Sequence, residues 1–268
     1  MTEAHSTSFA GKVVYISGGT SGINLGIAQR FAESGARVLV FGRKEDRAEA
    51  AARAIQEQSG RRAMAGAADV RDPHAVSALF AQACTEIGSP DVVIAGAAGN
   101  FMAPAVDISA NGFKTVVDID LLGTYNVFRS AYDVVNRPGA SLIAITAPQA
   151  VRPMPEQVHV CAAKAGVNMI VKVLAMEWGS AGIRVNAICP GPIAGTEGVE
   201  RMAPTAADKA RWLERTALRR FGTTTDVANA ALFISSEAAS FVTGAIFDCD
   251  GGMSLGDATG NYLVSGRR

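Results

Sequence analysis

The stretch Val13-Val14-Tyr15-Ile16-Ser17-Gly18-Gly19-Thr20-Ser21-Gly22-Ile23-Asn24-Leu25-Gly26 decides the fold. Its first five residues, rich in β-branched and aromatic side chains, read as a strand buried on both faces. They run straight into a glycine-rich turn and then a helix-like segment, Gly22 to Ser34. Glycines at such a turn let the backbone fold tightly and approach a pyrophosphate, whose charge rests on amide groups at the helix start. Gly18, Thr20, Ser21, Gly22 and Ile23 are the residues placed for that role. Packing glycines in an ordinary β-α-β unit give the same local pattern, so the rest of the chain has to arbitrate.

Outward from this turn the pattern repeats. Arg37 to Phe41, Ala63 to Ala68, Asp91 to Ala95, Ser141 to Thr146, Arg184 to Ile188 and Ala245 to Cys249 read as six further strands. Lys44 to Ser59, Pro73 to Ile87, Asn111 to Asn136 and His159 to Ser180 read as helices between them. Strict alternation with nearly continuous apolar strands predicts a doubly wound, Rossmann-type α/β sheet, mostly parallel and covered on both faces. No compositional break divides residues 1–268, which predicts a single domain. Residues 192–220 interrupt the rhythm with a polar, charged stretch after a strand end, a candidate lid over the carboxyl edge of the sheet.

Composition agrees. The 268 residues are 49% hydrophobic and carry 25 basic against 25 acidic side chains, for a formal charge of +0. That balance predicts no nucleic-acid footprint and no basic membrane face. No uninterrupted apolar run approaches the roughly 18 to 20 residues of a bilayer span. Cys84, Cys161, Cys189 and Cys249 form no CxxC pair, and with only His5, His74 and His159 as histidines neither a metal site nor a disulfide framework is expected. The polar start, Met1 to Gly11, lacks a signal-peptide pattern, and the tail Val264-Ser265-Gly266-Arg267-Arg268 does not match a Ser-Lys-Leu address. These readings predict a cytoplasmic protein.

Further motifs follow in order at strand ends: Asp69-Val70, Gly96-Ala97-Ala98-Gly99, Gly182-Ile183-Arg184-Val185-Asn186 leading into Pro190-Gly191-Pro192-Ile193, and Val242-Thr243-Gly244 leading into Asp250-Gly251-Gly252. Together with the Gly18–Gly22 loop they resemble the short-chain dehydrogenases/reductases over roughly Phe9 to Met253. The resemblance implies cofactor contacts from Asp69, Val70, Ala97, Gly99, Lys164, Pro190, Gly191 and Ile193, and a homotetramer built through the long helices. One departure is Asn24, which replaces the family's third loop glycine and brings a side chain into space near the phosphates.

The second strand ends in Phe41-Gly42-Arg43-Lys44, where NAD-selective enzymes of this architecture place a carboxylate. With no carboxylate to repel a 2′-phosphate and the Arg43 guanidinium able to bind one bidentately, NADP(H) is the expected cofactor.

The family's usual catalytic set is Asn, Ser, Tyr and Lys. Lys164 is present, but the Tyr position four residues earlier is Val160, the Ser position thirteen residues before that is Ala147, and the Asn position is Asp120. Tyr15, Tyr125, Tyr132 and Tyr262 all lie elsewhere in register. Loss of a general acid costs about 10²- to 10⁴-fold, which disfavours reduction of an isolated carbonyl. Hydride addition to the far end of a conjugated dienoyl thioester spreads charge into a dienolate that carbon protonation can quench later. A water oriented by Asp120 and Lys164 could then supply the proton.

The segments Gly99-Asn100-Phe101, Phe113 to Val116 with Asp118-Ile119-Asp120, His159 to Lys164, and Pro190 to Gly198 are similar to the peroxisomal-type 2,4-dienoyl-CoA reductases. That resemblance implies Asp120 and Lys164 as catalytic residues, an acyl-CoA thioester as substrate and a 3-enoyl-CoA as product. Competing readings are a carbonyl or hydroxyacyl oxidoreductase with displaced acid groups, and a catalytically silent NADP-binding protein. His159 neighbours the lost Tyr position, but the roughly 100° turn per helical residue aims it elsewhere. Arg201, Arg211, Arg219 and Arg220 in the lid segment read as a solvated face, with CoA phosphates as the alternative partner.

Overall fold

In the computed structural model, residues 8–256, 258 and 259 are described; Met1, His5, Tyr262 and the Val264–Arg268 tail lie outside them. Seven strands form one sheet: β1 (Val13–Ser17), β2 (Arg37–Gly42), β3 (Ala63–Ala67), β4 (Val92–Ala95), β5 (Ala140–Ile145), β6 (Ile183–Pro190) and β7 (Ile246–Cys249). Their order is β3-β2-β1-β4-β5-β6-β7, and every pairing is parallel. The chain reverses direction across the sheet between β1 and β4, which opens a crevice at their carboxyl ends.

Alternation along β1 divides the core between the two faces. Val13 and Tyr15 point to one side, where they join Phe80 of α3 (Pro73–Glu86), Phe128 of α5 (Gly123–Tyr132) and Val171 of α6 (Val158–Trp178). Val14 and Ile16 point to the other, against Phe31 of α1 (Gly22–Glu33), Ile55 of α2 (Glu45–Ser59) and Leu232 of α9 (Thr224–Ser235). Helix α9, between the 192–220 stretch and β7, is an element the strand-helix reading did not supply. A Thr223–Asp226 capping box starts it.

Two expectations change. The helix expected over Asn111 to Asn136 is α4 (Ala110–Val116), then a π-helical turn over Val117–Leu122, then α5. The π-turn adds about one residue per turn and so re-aims a side chain that an α-helix would place differently; Asp120 sits within it, 1% exposed. The second change concerns apolar length. Val158–Ala181 is long and apolar enough, by length and composition, to cross a bilayer, with mean hydropathy 1.4 and half of it buried. Its apolar character serves packing instead: Val167, Val171 and Leu174 belong to the core against the sheet, although Lys164 and Lys172 interrupt the run.

The 192–220 stretch forms α7 (Glu197–Met202) and α8 (Ala206–Arg215). Thr196 and Thr205 cap their N-termini, Thr205 in a reciprocal box with Asp208.

Candidate active site

The turn after β1 is held open by glycine. Gly18 has φ +66°, and a Cβ there would lie 2.9 Å from the Ala97 backbone in the loop after β4. Ser21, at the N-cap of α1, makes no side-chain cap bond although serine is a favoured capping residue. The amides of the first turn are therefore left for an anion, and the donor set fits the pyrophosphate of a dinucleotide.

A cleft of about 400 Å³ follows from this turn, lined by Gly18, Thr20, Ser21, Arg43, Asp69, Val70, Ala97 and Gly99 among others. Eight of the sequence-expected cofactor residues thus meet in one place. Arg47, in the first turn of α2, and Lys44, its N-cap residue, line it with Arg43. Among the described residues none of these three cations is in an ion pair, which fits a phosphate-bearing ligand. Asp69 is less free: Arg71 donates to both its oxygens at 2.6–3.1 Å and holds its carboxyl below the ordinary range, with Arg43 a smaller contributor.

Asn24 turns toward the β4 loop. Its Nδ2 donates to the Gly96 carbonyl at 2.8 Å, and a Cβ on Gly96 would come within 2.3 Å of its Oδ1. The side chain expected near the phosphates is accommodated because residue 96 has none.

A second cavity, about 210 Å³, is lined by Lys164, Val160, Ala147 and Gln149, with Ile23, Pro190, Gly191 and Ile193; its residues Ile23 and Asn100 neighbour Asn24 and Gly99 of the first in sequence. Gly22 lines neither cavity and opens α1 with φ +56°. The apolar wall comes from Met154, Val199, Met202, Trp212 and Met253, which the sequence reading did not single out. A roomier cavity of about 600 Å³ lies by α9 and β7 and shares Gly191, Pro192 and Ile193 with the second; Lys164 lines only the second cavity, and Asp120, buried behind it, lines none of the three.

Beside the second cavity the two expected catalytic side chains pair. Lys164 Nζ lies 3.1 Å from Asp120 Oδ2, with side-chain exposures of 7% and 1%. Lys164 also donates to the Ile145 carbonyl at 3.0 Å, at the end of β5. The other oxygen of Asp120 accepts the Gly99 N–H at 2.7 Å, which ties the π-turn to the loop after β4. Removing water from two charges is costly unless each finds a partner and its remaining valences are met; here each charge has its partner and both Asp120 oxygens are met, while Lys164 keeps an N–H to spare.

No tyrosine takes the place of the missing one among the described residues. The Tyr15 hydroxyl donates to the Gly88 carbonyl at 2.8 Å within the core, Tyr125 is exposed, and Tyr132 packs on Trp178. Two hydroxyls line the second cavity, and both are spent. Thr146 donates to Asn168 Oδ1 and Thr196 to the Ile193 carbonyl, each at 2.7 Å.

His159 lines neither cavity, as expected. It is fully buried, stacked 4.3 Å from the Phe101 ring, and neither ring nitrogen has a hydrogen-bond partner. Burial pushes its pKa down, against smaller opposing contributions from the Phe101 main chain and Asp120. The four arginines singled out within residues 192–220 are all tied to the protein: Arg201 to Glu197 and the Asn100 carbonyl, Arg211 to Asp208, Arg219 to the carbonyls of Glu214 and Ala258, and Arg220 to Asp226.

A parallel sheet with a glycine turn at its switch point and a lysine buried beside a second cavity defines a nucleotide-dependent oxidoreductase of the short-chain type. The family model described as Enoyl-(Acyl carrier protein) reductase matches residues 18–254. The chain belongs to the short-chain dehydrogenase/reductase superfamily and is closely related, within it, to the peroxisomal 2,4-dienoyl-CoA reductases. It is 42% identical to the (3E)-enoyl-CoA-producing enzyme of that name from Rattus norvegicus, over 94% of this chain and 87% of the relative. It is 35% identical to the Arabidopsis thaliana enzyme of that name, over 91% and 85%. Among solved structures, a gluconate 5-dehydrogenase from Burkholderia cenocepacia in complex with NADP and tartrate is similar at TM-score 0.88 and 27% identity, over 93% of this chain and 98% of that one. The rat and Arabidopsis relatives are peroxisomal by name, which overturns the expectation of a cytoplasmic protein.

Proposed function

We propose that the protein reduces a 2,4-dienoyl-CoA to a 3-enoyl-CoA with NADPH. The observation that carries this reading is the buried Asp120–Lys164 pair beside a cavity that offers no free hydroxyl at the Ala147 and Val160 positions. When bound, NADPH supplies the hydride for the far carbon of the diene.

The residues of this chain do the remainder. Arg43, with Lys44 and Arg47 beside it, holds the 2′-phosphate, and the α1 amides hold the pyrophosphate. Lys164, which donates to the Ile145 carbonyl and forms an ion pair with Asp120, has a further N–H, and this one binds the nicotinamide ribose. As the substrate accepts the hydride, its C4=C5 pair becomes C3=C4 and its C2=C3 pair moves onto the thioester as a dienolate. Asp120, with the charge of Lys164 beside it, orients a water whose proton goes to C2, and the hydroxide left behind is neutralised by solvent. Val160 removes the phenol that would protonate an alkoxide, so an isolated ketone has no matching acid.

Helices α7 and α8 act as the lid: Val199, Met202 and Trp212 wall the cavity, and Arg201 ties α7 to the Asn100 carbonyl. A homotetramer is supported by the apolar side chains that α6 and its neighbours leave exposed, Met169, Val173 and Met176 with Leu122 and Tyr125. Sedimentation of the purified protein tests it.

The test of the reaction is the loss of NADPH absorbance with dienoyl-, enoyl- and 3-ketoacyl-CoA thioesters. Turnover is expected with the dienoyl thioester alone. Brisk reduction of the 3-ketoacyl thioester, or tight NADPH binding with no thioester turned over, would overturn the reading.

A further inference from the structure

Reduction of a dienoyl thioester, the reading on which this inference rests, puts negative charge on the thioester oxygen, and that oxygen needs a donor. The family's serine cannot serve, because its position is Ala147. Thr146 and Thr196 have given their hydroxyl protons away within the protein. Lys164 has one N–H left, already assigned to the cofactor. Besides the Trp212 indole N–H on α8, far in sequence from the β5 turn, two side-chain amides of the cavity wall remain, on Asn100 and Gln149.

They differ in how firmly they are held. Asn100 is exposed, whereas Gln149 is 8% exposed. Gln149 sits in the short turn Pro148–Ala150 after β5, two residues beyond the vacated serine position. Its Nε2 donates to Gln157 Oε1 at 2.9 Å. Gln157 is fully buried, and its own Nε2 faces Asn100 Oδ1 at 3.4 Å and Met202 Sδ at 3.9 Å. With its amide hydrogens directed at those two acceptors, Gln157 presents its carbonyl to Gln149 and so fixes which way the Gln149 amide points. The second N–H of Gln149 has no protein partner among the described residues.

We infer that Gln149 is the oxyanion donor of this active site, giving its free N–H to the substrate's thioester oxygen while Gln157 holds the amide in place. Gln149 transfers no proton: it keeps both N–H bonds, and its contact strengthens as the hydride's electron pair reaches the oxygen. Gln157 is a positioning residue. The amide chain joins the loops after β4 and β5 to the start of α6, so the donor is fixed before substrate arrives.

Glu and Leu replacements test this. Gln149→Leu keeps the volume and removes the donor, and kcat with a 2,4-dienoyl-CoA is expected to fall about 10²-fold while NADPH affinity, read by fluorescence, stays unchanged. Gln149→Glu replaces the donor by an anion that becomes an O–H donor when protonated. Its kcat relative to wild type at the same pH is expected to be lowest at alkaline pH and to climb on acidification, whereas Gln149→Leu stays uniformly low. Both variants are checked for NADPH binding, so a misfolded one is discarded and the other decides. Rates within about threefold of wild type at every pH, or a folded Gln149→Glu whose relative rate does not move with pH, would overturn the donor role. A wild-type protein inactive on every dienoyl thioester removes the proposed reaction and this inference together; an active wild type with unaffected variants removes the inference alone.

Discussion

Asp118 and Asp120 stand two residues apart in the same π-turn, and each pairs with a lysine. Lys114 reaches Asp118 from one turn back along the helix, with side-chain exposures of 69% and 20%. Lys164 reaches Asp120 from a different helix, with exposures of 7% and 1%. In the first pair water competes for both charges, so the interaction is worth about 0–1 kcal/mol. In the second, bulk water is excluded and removal of one partner strands the other, which costs about 3–5 kcal/mol. The difference shows that an ion pair gains chemical consequence from its surroundings. A buried pair beside a cavity can orient a water, while an exposed one mainly decorates a helix.

The comparison breaks most clearly at Asp120. Asp120→Ala leaves Lys164 and the Gly99 amide without their acceptor, and kcat is expected to fall about 10²- to 10⁴-fold. The thermal midpoint should fall too, whereas Asp120→Asn keeps an acceptor for Gly99 and should retain more stability than activity. Steady-state rates and melting curves together check this.

Arg43 sharpens the contrast from the other side, as an exposed charge with no ion-pair partner among the described residues, which we propose meets the 2′-phosphate. Arg43→Ala is expected to raise KM for NADPH about 10- to 100-fold, from a charge-assisted bond worth roughly 1.5–3 kcal/mol, with little change for NADH. Paired titrations with the two nucleotides give the answer. An equal loss for both would show that the guanidinium does not meet the 2′-phosphate.

His159 is the case of a buried titratable group in no ion pair among the described residues. Its folded pKa lies below the ordinary value near 6.5, so the unfolded chain binds more protons in the window just under that value. Stability from this residue is intact above about pH 6.5 and declines as the pH falls from there toward the folded pKa. His159→Gln should flatten that part of the stability-pH curve, as denaturant unfolding at a series of pH values would show. The smallest effect belongs to the exposed pair: Lys114→Ala should change stability by less than about 1 kcal/mol and leave kcat unaltered. A loss comparable to that of Asp120→Ala would dissolve the distinction between the two aspartates.

How far the chain could be read in advance followed the same division. The β1 bounds, Val13–Ser17, and the Gly18–Gly22 turn were legible because strand burial and tight turns restrict residue type locally. The missing phenol was legible as well, since Val160 sits at a fixed spacing from Lys164. The π-turn was not, because hydrogen-bond register inside a helix leaves no mark in apolar periodicity. Nor was the Asn24–Gly96 fit, whose partners are 72 residues apart. Arg47 could have been found from its place in the first turn of the helix that follows Arg43 and Lys44. Gln149 and Gln157 carried no such signal.

The sequence by itself determined the alternating α/β sheet, the nucleotide turn and the absence of a tyrosine acid, because each is a matter of residue type at short range along the chain. Only the tertiary structure decided that Asp120 faces inward to Lys164, that Asn24 fills the space Gly96 leaves, and that the Gln149 amide is pinned with one hydrogen to spare. Those facts depend on which loops meet at the carboxyl edge of the sheet, and on water being shut out where they meet.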